Sequence, residues 1–310
     1  ENLSIGYQTE SGYVKAVRRV SFGVRRRESF GLVGESGSGK STLALGSIRY
    51  LAANGRINEG RINFMGEDIT DYGPGKRSKL WGRHIGMVYQ NPSLALNPSI
   101  RIGWQIAEAA QIHQKMDKNR AYAQAIETMA KVSMPEPEYV ASLYPHQLSG
   151  GMLQRCVITM ALMNNPSLLV MDEPTTALDV TTQAVVLDLV AKLKEDYDSA
   201  IFYITHDLAV VAQVCDSIGV MYAGELLESG PTKDVFRDPK HPYTLSLLGS
   251  IPKFEADHRK RALSGIEGMI PSLRELPAGC VFSPRCFMAD DQCRKITTSR
   301  GEVESGRFTA

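Results

Sequence analysis

The segment Gly34-Glu35-Ser36-Gly37-Ser38-Gly39-Lys40-Ser41-Thr42 fits the pattern G-x-x-x-x-G-K-[ST]. It follows an apolar run, Ser29-Phe30-Gly31-Leu32-Val33, that reads as a strand, and precedes a helix expected to start near Ser41. In that setting Gly34, Gly37 and Gly39 let successive backbone N–H groups curl around the β- and γ-phosphates of a nucleoside triphosphate, with Ser36 and Thr42 completing the loop. Lys40 brings a positive charge to those oxygens, Ser41 offers a hydroxyl to Mg²⁺, and the helix N-terminus adds its positive dipole end. A chance glycine-rich turn is the competing account, and the strand and helix on either side weigh against it. Well over a hundred residues downstream, the apolar run Leu168-Leu169-Val170-Met171 ends in Asp172-Glu173. Two acids after a strand are often only a solvated strand end. Joined to a phosphate loop they acquire roles, Asp172 holding Mg²⁺ through water and Glu173 polarising an attacking water as general base.

Those groups need a scaffold, and the rest of the chain writes one. Short apolar runs at Ser29–Val33, Ile85–Tyr89, Ser167–Met171, Ala200–Ile204 and Ser217–Tyr222 alternate with helical patterns, as in a largely parallel sheet covered by helices. Between about Pro98 and Asn164 the spacing turns helical, with Ile102, Ile106 and Ala110 and then Ile126, Met129 and Val132, which predicts a helical insertion. The 310 residues allow one large domain with an appendage. Lys and Arg number 35 against 34 Asp and Glu, so no global field points to nucleic acid or an anionic membrane. The run Arg25-Arg26-Arg27 reads as a solvated loop face. No apolar stretch approaches the roughly 18 to 20 residues that span a bilayer. The first residue is Glu1 rather than Met, so either end of a longer polypeptide is expected to lie outside this sequence.

Leu148-Ser149-Gly150-Gly151-Met152 stands just before a helix read over about 152–163 and upstream of the acidic pair. With this element the chain resembles the ABC ATPases over roughly its first 240 residues. The resemblance implies a P-loop, ABC-type α/β nucleotide-binding domain over 1–240 with a helical subdomain inserted at about 96–164, an antiparallel β subdomain, and an irregular C-terminal extension over 241–310. It implies ATP and Mg²⁺, with Gln90 joining Ser41 and Asp172 at the metal and linking nucleotide state to the helical insertion. It also implies His206 as the switch histidine, Thr176-Ala177-Leu178-Asp179 as the D-loop with Asp179 among the nucleotide-binding residues, and Tyr7 as the aromatic on adenine, with Tyr13 close by. Ser149, Gly150 and Gly151 put a hydroxyl, backbone N–H groups and a helix N-terminus where a γ-phosphate could bind. Since the chain's own phosphate loop holds the nucleotide elsewhere, the resemblance implies that this turn completes the site of a second, facing ATPase.

Tyr144-Pro145-His146-Gln147 before the signature and Pro239-Lys240-His241-Pro242-Tyr243-Thr244 after the core are similar to the ATPase subunits of dipeptide and oligopeptide importers, a group that includes importers of nickel, glutathione and oligosaccharides. Leu153 departs from the polar residue usual after Met152. The five cysteines fall unevenly, Cys156 and Cys215 inside apolar segments and Cys280, Cys286 and Cys293 together, which is not a secreted disulfide framework. In the group a similar stretch holds a four-cysteine iron–sulfur cluster, so a [4Fe–4S] cluster is expected to tie down the irregular text beyond Ile251, its fourth cysteine expected after residue 310. Zn²⁺ and unliganded thiols remain alternatives. The partners implied are a second, different ATPase in a heterodimer, two transmembrane permease subunits and an extracytoplasmic solute-binding protein, with no nucleic acid, at the cytoplasmic face of a membrane. A soluble ABC ATPase clamping DNA or ribosomes is the reading from another class, and it lacks support from any heptad run or second phosphate loop. An ABC exporter subunit is a third, which the C-terminal elements oppose.

Overall fold

The antiparallel part of the molecule begins with a hairpin of Leu3–Thr9 and Gly12–Val20, against which Gly55–Glu59 adds a third strand. Cross-strand pairs Leu3 with Val20 and Ile5 with Val17 are buried and set the register. The ladder shifts between Leu3 and Ile5 and again between Ile5 and Gly6; Arg19 takes a left-handed φ of 44° and donates its N–H to Ser4 Oγ. The computed structural model describes residues 1–176, 178–251, 265–296, 301–304 and 306–310. They divide into two compact units, one of Glu1–Gly23, Phe30–Thr70 and Thr205–Ala310, the other of Val24–Ser29 and Asp71–Ile204.

In the first unit Ser217–Tyr222 lies parallel to Ser29–Val33, Ser217 opposite Phe30 and Val220 opposite Val33. It turns back through Ala223 and Gly224 into Glu225–Pro231. Both turn residues have positive φ, 45° and 87°, the mirror-image turn whose twist matches that of the strands. The text beyond Ile251, expected to be irregular and tied down by cysteines, instead returns to the sheet in part: Arg307–Thr309 pairs antiparallel with Glu225–Pro231, and Gly301–Glu304 pairs outside it. An ion pair fastens this edge. Arg307 Nη2 stands 2.9 Å from Glu228 Oε1, with the two side chains 2% and 0% exposed. Glu228 also accepts the N–H groups of Lys240 and His241. Residues 252–264, 297–300 and 305, also part of that expectation, lie outside the described residues.

The second unit carries three parallel strands, Ile85–Val88, Leu168–Asp172 and Ala200–Thr205, with Ile85 opposite Leu168 and Leu168 opposite Ala200. Both faces are covered, so the last two strands read as continuous apolar runs. The expected helical insertion is present as Ile102–His113, Lys118–Lys131 and Pro137–Ser142, packed against Gly150–Leu162. Its buried stripes, Ile102, Ile106, Ala110 and Ala121, Ala125, Met129, keep a spacing of four residues, one face of a 3.6-residue helix. Asp117 caps the second of these helices by accepting from Asn119 and Arg120 N–H. Arg25, Arg26 and Arg27 are exposed, and the last two engage Asp198. Among the described residues no helix is long and apolar enough to cross a membrane.

Candidate functional site

The strand Ser29–Val33 delivers the chain into the glycine loop, and the helix Lys40–Ser47 receives it. Sterics fix the glycines. A Cβ on Gly34 would stand 2.0 Å from the Met221 carbonyl oxygen, and one on Gly39, at φ 101°, would stand 2.6 Å from that of Ala16. The loop is thus wedged between the hairpin bulge and the end of Ser217–Tyr222, and Gly224 N–H donates to Ser38 O at 2.9 Å. Gly37 also takes a left-handed φ of 79°, so the peptide units alternate and present several N–H groups to one concavity at a helix N-terminus. Lys40 is buried and curls over the loop, its Nζ donating to Gly34 O at 2.8 Å and Glu35 O at 2.9 Å. Ser38 Oγ is buried with no hydrogen-bond partner among the described residues. Ser36 and Ser41 face solvent and Thr42 is half-buried. This cradle of amides, one ammonium and hydroxyls fits a chain of phosphates. Tyr7 lies in the first strand with its ring over Gly55, while Tyr13 lies over Gly6 and bonds Asn58. His206 belongs to the same unit, exposed between Thr205 and the helix Leu208–Val214.

In the second unit Asp172 closes the strand Leu168–Asp172 opposite Ile204, and Glu173 follows with a left-handed φ of 45°. A non-glycine residue there stores roughly 1–3 kcal/mol of strain, which the surroundings must hold. They do so at three points. Glu173 N–H donates to Ile204 O at 2.9 Å, and its Oε2 accepts from Gln90 Nε2 at 3.1 Å and from Thr176 Oγ1 at 2.9 Å. Gln90, expected from the sequence at a linking loop, is therefore brought to the expected base. Thr176 was not singled out for this contact; its place three residues after Glu173 was the available signal.

Ser149 caps the helix Gly150–Leu162 by accepting from Met152 N–H, and Ser149 and Gly150 are exposed. Gly151 packs against Thr182 in the first turn of Val180–Asp196. Thr182 in turn gives its N–H and hydroxyl to the two carboxylate oxygens of Asp179, at 3.0 and 2.7 Å, and the hydroxyl bond, first among several, holds that carboxyl below the usual range. The signature turn and Asp179 are thus brought together; Ala177 between Thr176 and Leu178 lies outside the described residues. Leu153 is buried on the helix's inner face, which accounts for an apolar residue there.

A family model described as ABC transporter matches residues 17–176. The oligopeptide transport ATP-binding protein OppD of Haemophilus influenzae is 43% identical over 301 residues, covering 96% of this chain and 92% of that protein. This chain belongs to the ABC transporter family. A second model, for the C-terminal region of oligopeptide/dipeptide transporters, matches residues 227–293 of this ABC chain. The dipeptide transport ATP-binding protein DppD of Escherichia coli is 40% identical, covering 99% of this chain and 93% of its own. Among solved structures, the dimeric ATP-binding cassette MJ0796 bound to ADP and Pi covers 75% of the chain at 26% identity with a TM-score of 0.66, and 97% of that cassette is matched. CbiO1 of Clostridium perfringens covers 79%, and is itself matched over 94%, at 25% identity and a TM-score of 0.64.

The C-terminal region of this ABC chain packs through aromatic rings. Phe282 is fully buried, its ring 5.3 Å from Tyr222 and 5.1 Å from Tyr243. Burial pushes the Tyr243 hydroxyl far up, and the Tyr243 oxygen accepts Glu35 N–H at 3.2 Å. Two of the three neighbouring cysteines are linked by backbone, Cys280 N–H donating to Cys293 O at 2.8 Å. Burial pushes the Cys280 and Cys286 thiols up, and nearby thiols add to it. Among the described residues no three His, Cys, Asp or Glu side chains form a metal-holding group. These three thiols are one short of the four-thiolate set of a [4Fe–4S] cluster.

Proposed function

We propose that this chain is the ATP-binding and ATP-hydrolysing subunit of an importer of dipeptides or oligopeptides. The observation that carries it is the Glu173 carboxylate, fixed by Gln90 and Thr176 at the end of a buried strand, in a chain that also bears a complete phosphate loop. Glu173 polarises the attacking water, and His206 stabilises the oxygens of the leaving phosphoryl group. Lys40 and the loop amides bind the β- and γ-phosphates, and Tyr7 stacks on adenine. Ser41, Asp172 and the amide oxygen of Gln90 are hard donors suited to Mg²⁺, which when bound neutralises phosphate charge. Ser149, Gly150, Gly151 and Asp179 face the nucleotide of a second ATPase, a related but different chain, so that nucleotide binding closes the pair and hydrolysis releases it.

The similarity to OppD and DppD over nearly the whole chain supports peptide cargo, two membrane-embedded permease subunits, an extracytoplasmic binding protein and a place on the cytoplasmic face of the membrane. In this reading the ATPase body spans 1–240 and the transporter-specific extension 241–310. Iron–sulfur ligation by Cys280, Cys286 and Cys293 rests on soft donors alone; colourless, iron-free protein after anaerobic preparation removes it. The function is tested by Glu173→Gln, expected to keep Mg-ATP binding while steady-state hydrolysis falls about 10²- to 10⁴-fold. Unchanged turnover excludes Glu173 as the base.

A further inference from the structure

The second residue of the phosphate loop, Glu35, is an acid at the mouth of an anion-binding cradle. A bare carboxylate there opposes the phosphates the loop is built to hold. The residue is held at every polar group: its N–H by Tyr243 Oη, its carbonyl by Lys40 Nζ and Ser38 N–H, its carboxylate by Arg285. Arg285 lies 250 residues away, in the run Ser283-Pro284-Arg285 between two of the cysteines. Its Nη1 and Nη2 make a fork onto Glu35 Oε2 and Oε1 at 2.8 and 3.3 Å. The remaining donors go to Tyr222 Oη, Ile266 O and Glu267 O, so all five N–H groups of the guanidinium are used. The Arg285 side chain is only 6% exposed, and the ring of Phe282 braces the same turn against Tyr222 and Tyr243. A guanidinium saturated in this way is fixed in place, and it fixes Glu35 with it.

We propose that Arg285 is a positioning residue for nucleotide binding: reaching from the C-terminal extension, it neutralises and orients Glu35 so that the phosphate loop meets a triphosphate without a competing negative charge. This rests on the ATP-binding reading above. The extension then belongs to the nucleotide site, and its damage is the lone carboxylate left behind when Arg285 is removed.

The test is Mg-mantATP binding by the full chain, with melting temperature recorded for each variant and Lys40→Ala as the loss-of-binding control. Arg285→Gln is expected to weaken binding about tenfold, roughly 1.4 kcal/mol. Adding Glu35→Gln to Arg285→Gln should bring binding back to within about threefold of the original, because the orphaned charge is gone. A fork that serves only to hold the fold gives the opposite pattern, the double variant as weak as Arg285→Gln; that result, or unchanged affinity in a folded Arg285→Gln chain, overturns the proposal. Should Arg285→Gln yield no folded protein, Arg285→Lys keeps the charge, and it supports the proposal by binding within about threefold and overturns it by binding tenfold or more weakly. Failure of the unsubstituted chain to bind Mg-mantATP defeats the ATP-binding reading and this proposal with it, whereas binding lost in Lys40→Ala but unmoved by Arg285 defeats this proposal alone.

Discussion

Gly151 is the tightest point of the signature turn. A Cβ there would stand 2.3 Å from Thr182 Cγ2 and 3.6 Å from the Thr182 Cβ and Oγ1, so the clash is with a single methyl group. That methyl cannot swing away freely, since the Thr182 hydroxyl is bonded to Asp179 at 2.7 Å and its N–H at 3.0 Å. Gly151→Ala therefore forces the start of Val180–Asp196 to shift by about 1 Å, an overpacking cost of roughly 1–3 kcal/mol, against a helix-propensity gain of about 0.5–1 kcal/mol from Gly to Ala. The net expectation is a loss of up to about 2 kcal/mol, with nucleotide binding to the chain's own loop retained and hydrolysis by the assembled transporter reduced. Thr182→Ser removes the methyl and keeps the hydroxyl on Asp179. In Gly151→Ala/Thr182→Ser the clash is gone and the propensity gain remains, so melting temperature should return to or exceed the original and hydrolysis should recover. Denaturant titration and ATPase assays on the four proteins measure this. A Gly151→Ala chain as active and stable as the original, or a Thr182→Ser background that rescues neither, refutes the packing argument.

Arg307→Ala leaves Glu228 buried without its guanidinium and should cost about 3–5 kcal/mol, read as a lower denaturant midpoint; a change under about 1 kcal/mol excludes the pair as the fastening of the sheet edge. Burial pushes His241 down to about 4 from 6.5, so its neutral form is the folded one, its Nδ1 accepting Tyr243 N–H at 3.1 Å. Its contribution is full above about pH 6.5 and is lost as pH falls towards 4, up to about 3 kcal/mol. His241→Asn, which can still cap the helix Pro242–Gly249, should flatten the acid limb of stability against pH, and an unchanged limb counts against His241 as its source.

What was legible in the sequence was local. Gly34 to Thr42 could be read because steric demand and phosphate chemistry dictate residue types at fixed offsets, and the parallel strands because burial on both faces leaves unbroken apolar runs such as Leu169-Val170-Met171 and Ile201-Phe202-Tyr203-Ile204. Ser217–Tyr222 was read with the bounds it has. What escaped was long-range. Nothing near Arg285 or Glu35 announces a fork across 250 residues, and the hydroxyl of Tyr243, read only as part of an element opening the extension, serves the phosphate loop. The strands at Gly301–Glu304 and Arg307–Thr309 are short and charged, without the alternation that marks a strand, and exist because Glu225–Pro231 offers an edge to pair with. The cysteines drew attention by clustering, yet spacing alone says nothing of where thiols point.

The edge strand ordered by Arg307 also has a history in time. Ribosomes make chains from the N-terminus at about 5–20 residues per second, and Arg307 follows Glu228 by 79 residues. For about 4–16 seconds, then, the nascent sheet has an open flank and a carboxylate awaiting its cation, the condition in which strands recruit neighbours from other molecules. Newly made copies are most vulnerable to misassembly in that interval, and a chaperone that shields the Glu225–Pro231 flank would matter there more than at any later moment in the protein's life.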